Sequence, residues 1–228
     1  MTTKAPPAVE EVLWAIASYG LDASGRTLPA EPVDDKTFPM LINKVARAKL
    51  IGLFAAAVEN GDLPVTPDQR TLVADRHLEA MCHTLYLERL LLDLAGHLDD
   101  AAIPFRLLKG SSVASLDYED PCLRPFVDVD LLVESATFDR TVAVLESAGV
   151  RRLWAAPRPG FDRRFGKGST LLSPEGYEVD LHRTFVSGPW GLTVRLDDLW
   201  EGSRTFEGLD DEMFGIRPWT HTQHVPVA

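Results

Sequence analysis

Two aspartates separated by one residue, Asp128 and Asp130, give the clearest chemical signal in the sequence. They lie in residues 126–133, where valine and leucine predict a β-strand. Side chains alternate along a strand, so we expect both carboxylates on one face. Two carboxylates this close repel each other unless a cation lies between them, and Mg²⁺, which prefers oxygen ligands, suits that position. An exposed strand with two solvated acids is the alternative interpretation.

A second signal lies upstream, in Lys109-Gly110-Ser111-Ser112. This segment follows a predicted strand, residues 103–108, and precedes a predicted helix that ends near Tyr118. Glycine allows close approach of the backbone to a ligand, and amides at a helix N-terminus can hold phosphate oxygens. A plain strand-to-helix turn without a ligand would have the same sequence features, so both interpretations stay open.

A third signal is the segment Glu178-Val179-Asp180-Leu181-His182. If it is a strand, Glu178, Asp180 and His182 share one face. Asp180 could then complete a carboxylate triad with Asp128 and Asp130. For His182 alone, a packed or hydrogen-bonded histidine is the simpler interpretation.

The elements that must position these residues differ between the two halves of the chain. Apolar residues at helical spacing predict three helices in the first hundred residues, over 7–19, 39–60 and 66 to about 100. The third begins at Thr66-Pro67-Asp68-Gln69, which fits a capping box with proline at the first helical position.

From Ile103 onward, strands and helices alternate in a βαβαβ-like unit with an added hairpin. We expect a helix with Ser135 as N-cap that ends at Gly149, a strand over 150–155, and a hairpin of 170–172 with 177–185. The predicted class is α+β, a small mixed sheet with flanking helices, preceded by a helical N-terminal region. The predicted ranges are 1–100 for the helical region, 101–200 for the core, and 201–228 for a C-terminal extension, either truncated or partly irregular.

Composition narrows the possible classes of protein. The chain has 228 residues, 45% apolar and 25% charged, which is ordinary for a globular protein of one or two domains. No apolar run is long enough to span a membrane, and no secretory signal is visible. Two cysteines predict reduced thiols and a cytoplasmic protein. The net charge of −11 argues against strong general affinity for nucleic acid, although residues 151–167 contain a local basic cluster.

The order of the three signals resembles that of nucleotidyltransferases of the DNA polymerase β superfamily. It is more closely similar to the uncharacterised bacterial nucleotidyltransferase family, and the resemblance covers roughly residues 66–185. The matching pieces are Leu108-Lys109-Gly110, Leu116-Asp117-Tyr118, Arg124-Pro125, Asp128-Val129-Asp130-Leu131-Leu132-Val133 and Val179-Asp180-Leu181-His182.

The resemblance implies a polymerase β-like nucleotidyltransferase fold and transfer of a nucleoside monophosphate from an NTP, ATP among them, to an acceptor. It implies that Asp128, Asp130 and Asp180 are catalytic and hold Mg²⁺ or Mn²⁺. It further implies nucleotide binding by these residues: Lys109, Gly110, Ser111, Ser112, Arg124 and His182. For Lys109 and Arg124, a structural ion pair is an equally good interpretation.

The acceptor is not readable from the sequence: a small molecule, a protein side chain and an RNA end all remain open. One alternative function is a nucleotide-binding regulatory module of the same fold with little turnover. Another is the toxin of a toxin–antitoxin pair that modifies tRNA, with residues 151–167 as the RNA contact.

Overall fold

The computed structural model describes residues 9–21, 24–186, 196, 200, 204–207 and 224–227. Its helices are α1 (Val9–Ala17), α2 (Phe38–Arg47), α3 (Ile51–Glu59), α4 (Pro67–Asp100), α5 (Ser111–Asp117), α6 (Phe138–Ser147) and α7 (Phe161–Arg164). Its strands are β1 (Phe105–Leu107), β2 (Asp128–Val133), β3 (Arg151–Arg152), β4 (Gly168–Leu172), β5 (Glu178–His182), β6 (Arg204–Glu207) and β7 (His224–Val227). A short 3-10 helix covers Pro121–Leu123.

The chain divides into two compact units. The first contains the residues up to Thr84 together with Tyr118–Phe126, and the second contains Leu85–Asp117 and the residues from Val127 onward. The division therefore falls inside α4. The ranges predicted from the sequence, with limits at residues 100 and 200, stay a prediction.

The first unit is helical, and its core is built from the apolar faces of α1, α2 and α3. Ile16, Leu41, Val45 and Phe54 are fully buried there. The predicted capping box at the start of α4 is confirmed, because the Gln69 amide N–H donates to Thr66 Oγ1 at 3.3 Å and the Thr66 N–H donates to Gln69 Oε1 at 3.2 Å.

The single helix predicted over residues 39–60 is wrong, because the chain forms two helices there. Lys49 adopts a left-handed backbone with φ of 61°. Its N–H donates to Ala46 O, and the Leu50 N–H donates to Val45 O, both at 3.0 Å. This bond pattern ends a helix and usually has glycine at the left-handed position, so a lysine there gives no sequence signal.

The second unit contains a mixed sheet whose described strands follow the order β3-β4-β5-β2-β1-β7-β6. Strand β2 pairs antiparallel with β1 and parallel with β5, and β4 pairs antiparallel with β5 as the predicted hairpin. The α+β class, with a small mixed sheet and flanking helices, is confirmed. Leu131, Leu132 and Val133 are fully buried in the middle of this sheet.

Helix α6 packs through Phe138, Val142 and Leu145, which recur at helical spacing and are buried. Its predicted N-cap is wrong, because Thr137 and not Ser135 precedes the first helical residue. The Thr137 N–H and hydroxyl both donate to Glu134 O, at 3.0 and 3.1 Å, so a turn delays the helix start.

Of the predicted C-terminal extension, residues 201–228, the structure describes only Arg204–Glu207 and His224–Val227, which form β6 and β7. The rest of the predicted extension lies outside the described residues. No helix among the described residues is both long enough and apolar enough to cross a membrane.

Candidate active site

Strand register brings the predicted site residues of β2 and β5 together. Asp130 lies directly opposite Asp180 in the parallel pair, and Asp128 lies opposite Glu178. Potential ligand atoms of Asp130, Asp180 and His182 all lie within 4.8 Å of one another. Burial does not alternate along β2, because every residue from Val129 to Val133 is buried, Asp130 included. Two strands thus place acids on one site.

Asp130 is the most enclosed of these groups, with 0% of the residue exposed. His182 Nε2 lies 2.8 Å from its Oδ1, and Lys109 Nζ lies 2.9 Å from its Oδ2. Burial alone would raise the pKa of Asp130, but the hydrogen bonds and charges of His182 and Lys109 outweigh it and lower the pKa. Asp130 is therefore held as a carboxylate.

Lys109 supplies the cation that two neighbouring carboxylates need. Its ammonium lies 2.9 Å from Asp130 Oδ2 and 3.9 Å from Asp128 Oδ2. Burial opposes its charge, but the contact with Asp130 and the charges of Asp128 and Asp180 together raise the pKa of Lys109. The sequence allowed two roles for Lys109, nucleotide binding and a structural ion pair. The structure shows the ion pair with Asp130 and Asp128, and nucleotide binding stays a prediction.

Asp180 is oriented by a neighbour that the sequence did not single out. The Thr170 hydroxyl donates to Asp180 Oδ1 at 2.6 Å. Thr170 lies opposite Asp180 in the β4–β5 pair, so this contact depends on the strand register. The hydrogen bond uses one oxygen of Asp180 and leaves the other for a ligand.

The Gly-Ser turn joins β1 to α5 next to these acids. Gly110 has φ of 67°, which glycine adopts without strain, and the Leu108 N–H donates to Asp130 O at 3.1 Å. Ser111 and Ser112 are buried, and their hydroxyls bond within the protein: Ser112 Oγ lies 3.3 Å from Leu108 O. The first-turn amides of α5, not these hydroxyls, are therefore the donors available to an anion.

Sequence reasoning missed Glu88, which lies on α4 behind the Gly-Ser turn. It is 7% exposed, and the Ser111 hydroxyl lies 3.5 Å from its Oε1. Burial raises the pKa of Glu88 to about 7, although the Ser111 contact acts in the opposite direction. A usable signal was the position of this glutamate within a buried stripe of helical period, with Leu87, Leu91 and Leu98.

Arg124 belongs to the first unit, whereas the residues described above belong to the second. It follows the 3-10 helix, and its guanidinium donates to Pro125 O at 2.9 Å. Its predicted role in nucleotide binding stays a prediction.

The donor set at the β2–β5 pair fits a divalent cation. Asp130 and Asp180 offer carboxylate oxygens and His182 an imidazole nitrogen within a space of 4.8 Å, and Asp128 is near enough to share Lys109. Hard oxygen ligands of this kind suit Mg²⁺ or Mn²⁺. One lysine does not balance three aspartates, so the site favours additional positive charge.

Comparison with known proteins places the chain in a family. Residues 34–212 match the family described as uncharacterised nucleotidyltransferase. The match covers most of the chain, which therefore belongs to this family, and the resemblance found in the sequence motifs is confirmed.

No curated protein matches the chain. Among solved structures, the chain is similar to the lincosamide antibiotic adenylyltransferase LnuA with lincomycin bound. The two share 16% identity and a TM-score of 0.34, over 60% of this chain and 75% of the other.

Proposed function

We propose that this protein is a metal-dependent nucleotidyltransferase that moves a nucleoside monophosphate from an NTP to an acceptor and releases pyrophosphate. The register of Asp130 with Asp180 supports this most directly. It brings acidic side chains together in a chain that belongs to a nucleotidyltransferase family. A cytoplasmic site of action remains part of the proposal.

Asp128, Asp130 and Asp180 would hold Mg²⁺ or Mn²⁺. When bound, such ions stabilise charge on the attacking and leaving oxygens of an in-line displacement. The acceptor oxygen forms a bond to the α-phosphorus, the bond between that phosphorus and the bridging oxygen breaks, and pyrophosphate leaves. Asp180, the half-buried carboxylate, accepts the acceptor proton in this proposal.

The other residues of the site would bind or orient these groups. The first-turn amides at Gly110, Ser111 and Ser112 would bind phosphate oxygens, with Lys109 close enough to add positive charge. His182, bonded to Asp130, is a positioning residue in this proposal.

The test is incubation of the full chain with Mg²⁺ and each of four α-labelled NTPs in cell extract, followed by separation of RNA, protein and small molecules. We expect label on one of these fractions and release of pyrophosphate, both abolished by a chelator. Label on tRNA would favour the toxin alternative.

Asp180→Ala separates an enzyme from a regulatory module. It should keep NTP affinity and lose most turnover, because Asp180 acts on the acceptor side. Glu146→Ala, an exposed acid on α6, is the matched control and should behave as the native protein. NTP binding without any transfer would favour the regulatory module, and absence of both binding and transfer would contradict the proposal.

A further inference from the structure

Residues 151–167 of the second unit contain six basic residues and one acidic residue, in a chain whose net charge is −11. Two of the cations are neutralised, since Arg152 pairs with Asp162 at 2.5 Å and Arg163 with Asp139 at 3.4 Å. Among the residues that the structure describes, the other four have no carboxylate partner: Arg151, Arg158, Arg164 and Lys167. The uncompensated charge is therefore local and positive.

Aromatic side chains lie exposed among these cations. Trp154 is 71% exposed and Phe165 is 45% exposed. The Arg158 guanidinium lies 5.5 Å from the centroid of Phe165. We call the exposed set the basic–aromatic patch: Arg151, Trp154, Arg158, Arg164, Phe165 and Lys167.

The backbone beneath the patch is fixed by a buried arginine. Arg183 is 5% exposed, and its guanidinium donates to the carbonyls of Asp162, Gly166 and Arg164 at 3.1, 2.6 and 3.2 Å. The Arg183 N–H also donates to Lys167 O at 3.0 Å. Arg164, Phe165 and Lys167 thus project from an ordered segment, which reduces the entropy lost on binding.

One member of the patch shares a sheet face with the acceptor side of the proposed site. Arg151 lies opposite Leu172 in the pair of β3 with β4, and Leu172 lies on the same face of β4 as Thr170, whose hydroxyl donates to Asp180. A chain bound along the patch could therefore extend to the carboxylate that the proposed function assigns to the acceptor.

We propose that the basic–aromatic patch binds a single-stranded nucleic acid and that its terminal hydroxyl is the acceptor, an inference that rests on the proposed function. Exposed aromatic faces stack on unpaired bases while arginine and lysine contact phosphates. An anionic lipid surface would satisfy the cations, but α7 has only four residues and offers no long amphipathic face. Since the rest of the chain is acidic, binding is modest and depends steeply on salt.

The test is fluorescence anisotropy of the full chain with labelled oligonucleotides of about twelve nucleotides, as single-stranded RNA, single-stranded DNA and an RNA duplex. With four phosphate contacts, the affinity for a single strand should fall about fiftyfold between about 50 and 200 mM salt. The duplex should bind more weakly, and the RNA and DNA arms identify the sugar that is preferred.

Matched variants assign any binding to the patch. We expect the double variant Arg164→Gln with Lys167→Gln to weaken binding and make the salt dependence shallower, since two phosphate contacts are lost. Trp154→Ala should cost about tenfold through lost stacking. Arg47→Gln and Trp14→Ala, exposed residues of the first unit, are the controls and should bind as the native protein.

Absence of binding at low salt, equal binding by patch and control variants, or binding only to anionic vesicles would overturn the inference. Asp130→Asn separates it from the proposed function, because that variant should still bind the oligonucleotide without transferring label. Transfer of label to a small molecule without oligonucleotide binding would support the proposed function and contradict nucleic-acid binding by the patch.

Discussion

Asp130 and Glu88 are both buried carboxylates of the second unit, yet their pKa values move in opposite directions. Asp130 is 0% exposed and Glu88 7% exposed, so burial penalises the charge of both. Asp130 contacts His182 and Lys109, which lower its pKa. Among the residues that the structure describes, Glu88 has only the long contact with the Ser111 hydroxyl, and its pKa rises to about 7.

The difference teaches that the partners, rather than the depth of burial, set the charge of an interior acid. The consequences for stability have opposite signs. Asp130, whose pKa is lowered, stabilises the fold above its unfolded pKa, and this contribution is lost as the pH falls through the lower folded value. Glu88, whose pKa is raised, contributes stability below its unfolded pKa, which is lost as the pH rises toward 7.

The first prediction compares the turnover of variants at Asp130 and Glu88, where we expect the largest difference. Asp130→Asn removes a charged ligand of the proposed metal site, so we expect transfer to fall by about 10³-fold or more, on the scale of a lost electrostatic contact in a transition state. Glu88→Gln should keep transfer within a few-fold of the native rate. The measurement is release of pyrophosphate with saturating NTP. An equal loss of turnover in both variants would contradict the different roles assigned to Asp130 and Glu88.

The second prediction concerns the stability of Glu88→Gln. A shift of the pKa from 4.5 to about 7 corresponds to about 3 kcal/mol that the native protein loses between pH 4.5 and pH 7. Glutamine is neutral at all pH values, so the variant should be more stable than the native protein at pH 8 by up to about 3 kcal/mol and nearly equal at pH 5. Urea unfolding at both pH values measures this difference.

Glu79→Gln is the control on the same helix, because its exposed pair with Arg76 contributes little to stability. A Glu88→Gln variant with the same pH dependence as the native protein would show that Glu88 is ionised throughout this range.

The surroundings of Asp130 and Glu88 also differ in how far the sequence alone predicts them. The strand that carries Asp128 and Asp130 was predictable from its run of valine and leucine, and the hairpin of β4 with β5 has a turn signal of its own at Pro174-Glu175-Gly176. The assignment of the chain to a nucleotidyltransferase family came from the motif order, and the family match confirms that assignment.

Contacts that depend on distant register were not predictable in this way. Thr170 reaches Asp180 only because β4 and β5 pair with those residues opposite each other, and Glu88 reaches Ser111 across 23 residues of sequence. The helix end at Lys49 was equally hidden, since Lys49 has positive φ without being glycine.

The third prediction tests the counterion of Asp130. Lys109→Gln removes a positive charge that lies 2.9 Å from Asp130 and 3.9 Å from Asp128. Lys109 is exposed for more than half of its side chain, so its repulsion of a divalent ion about 4 Å away is close to the value in water, about 2 kcal/mol.

We therefore expect Lys109→Gln to bind Mn²⁺ about thirtyfold more tightly in the absence of nucleotide, measured by calorimetry. Lys36→Gln, an exposed lysine of the first unit, should leave the affinity unchanged. Weaker Mn²⁺ binding by Lys109→Gln would mean that Lys109 organises the carboxylates for the metal instead of competing with it.

The smallest effect is expected at Thr170, which extends the comparison from charged partners to a neutral one. Thr170→Val keeps the shape of the side chain and removes the hydroxyl that donates to Asp180 Oδ1 at 2.6 Å. A hydrogen bond to a charged group contributes about 1.5 kcal/mol, so kcat should fall about tenfold while the KM for NTP stays unchanged, because Asp180 serves the acceptor. Thr170→Ser restores the donor and should recover most of the rate, and Thr71→Val, on the surface of α4, is the control. If Thr170→Ser were as slow as Thr170→Val, packing rather than the hydrogen bond would position Asp180.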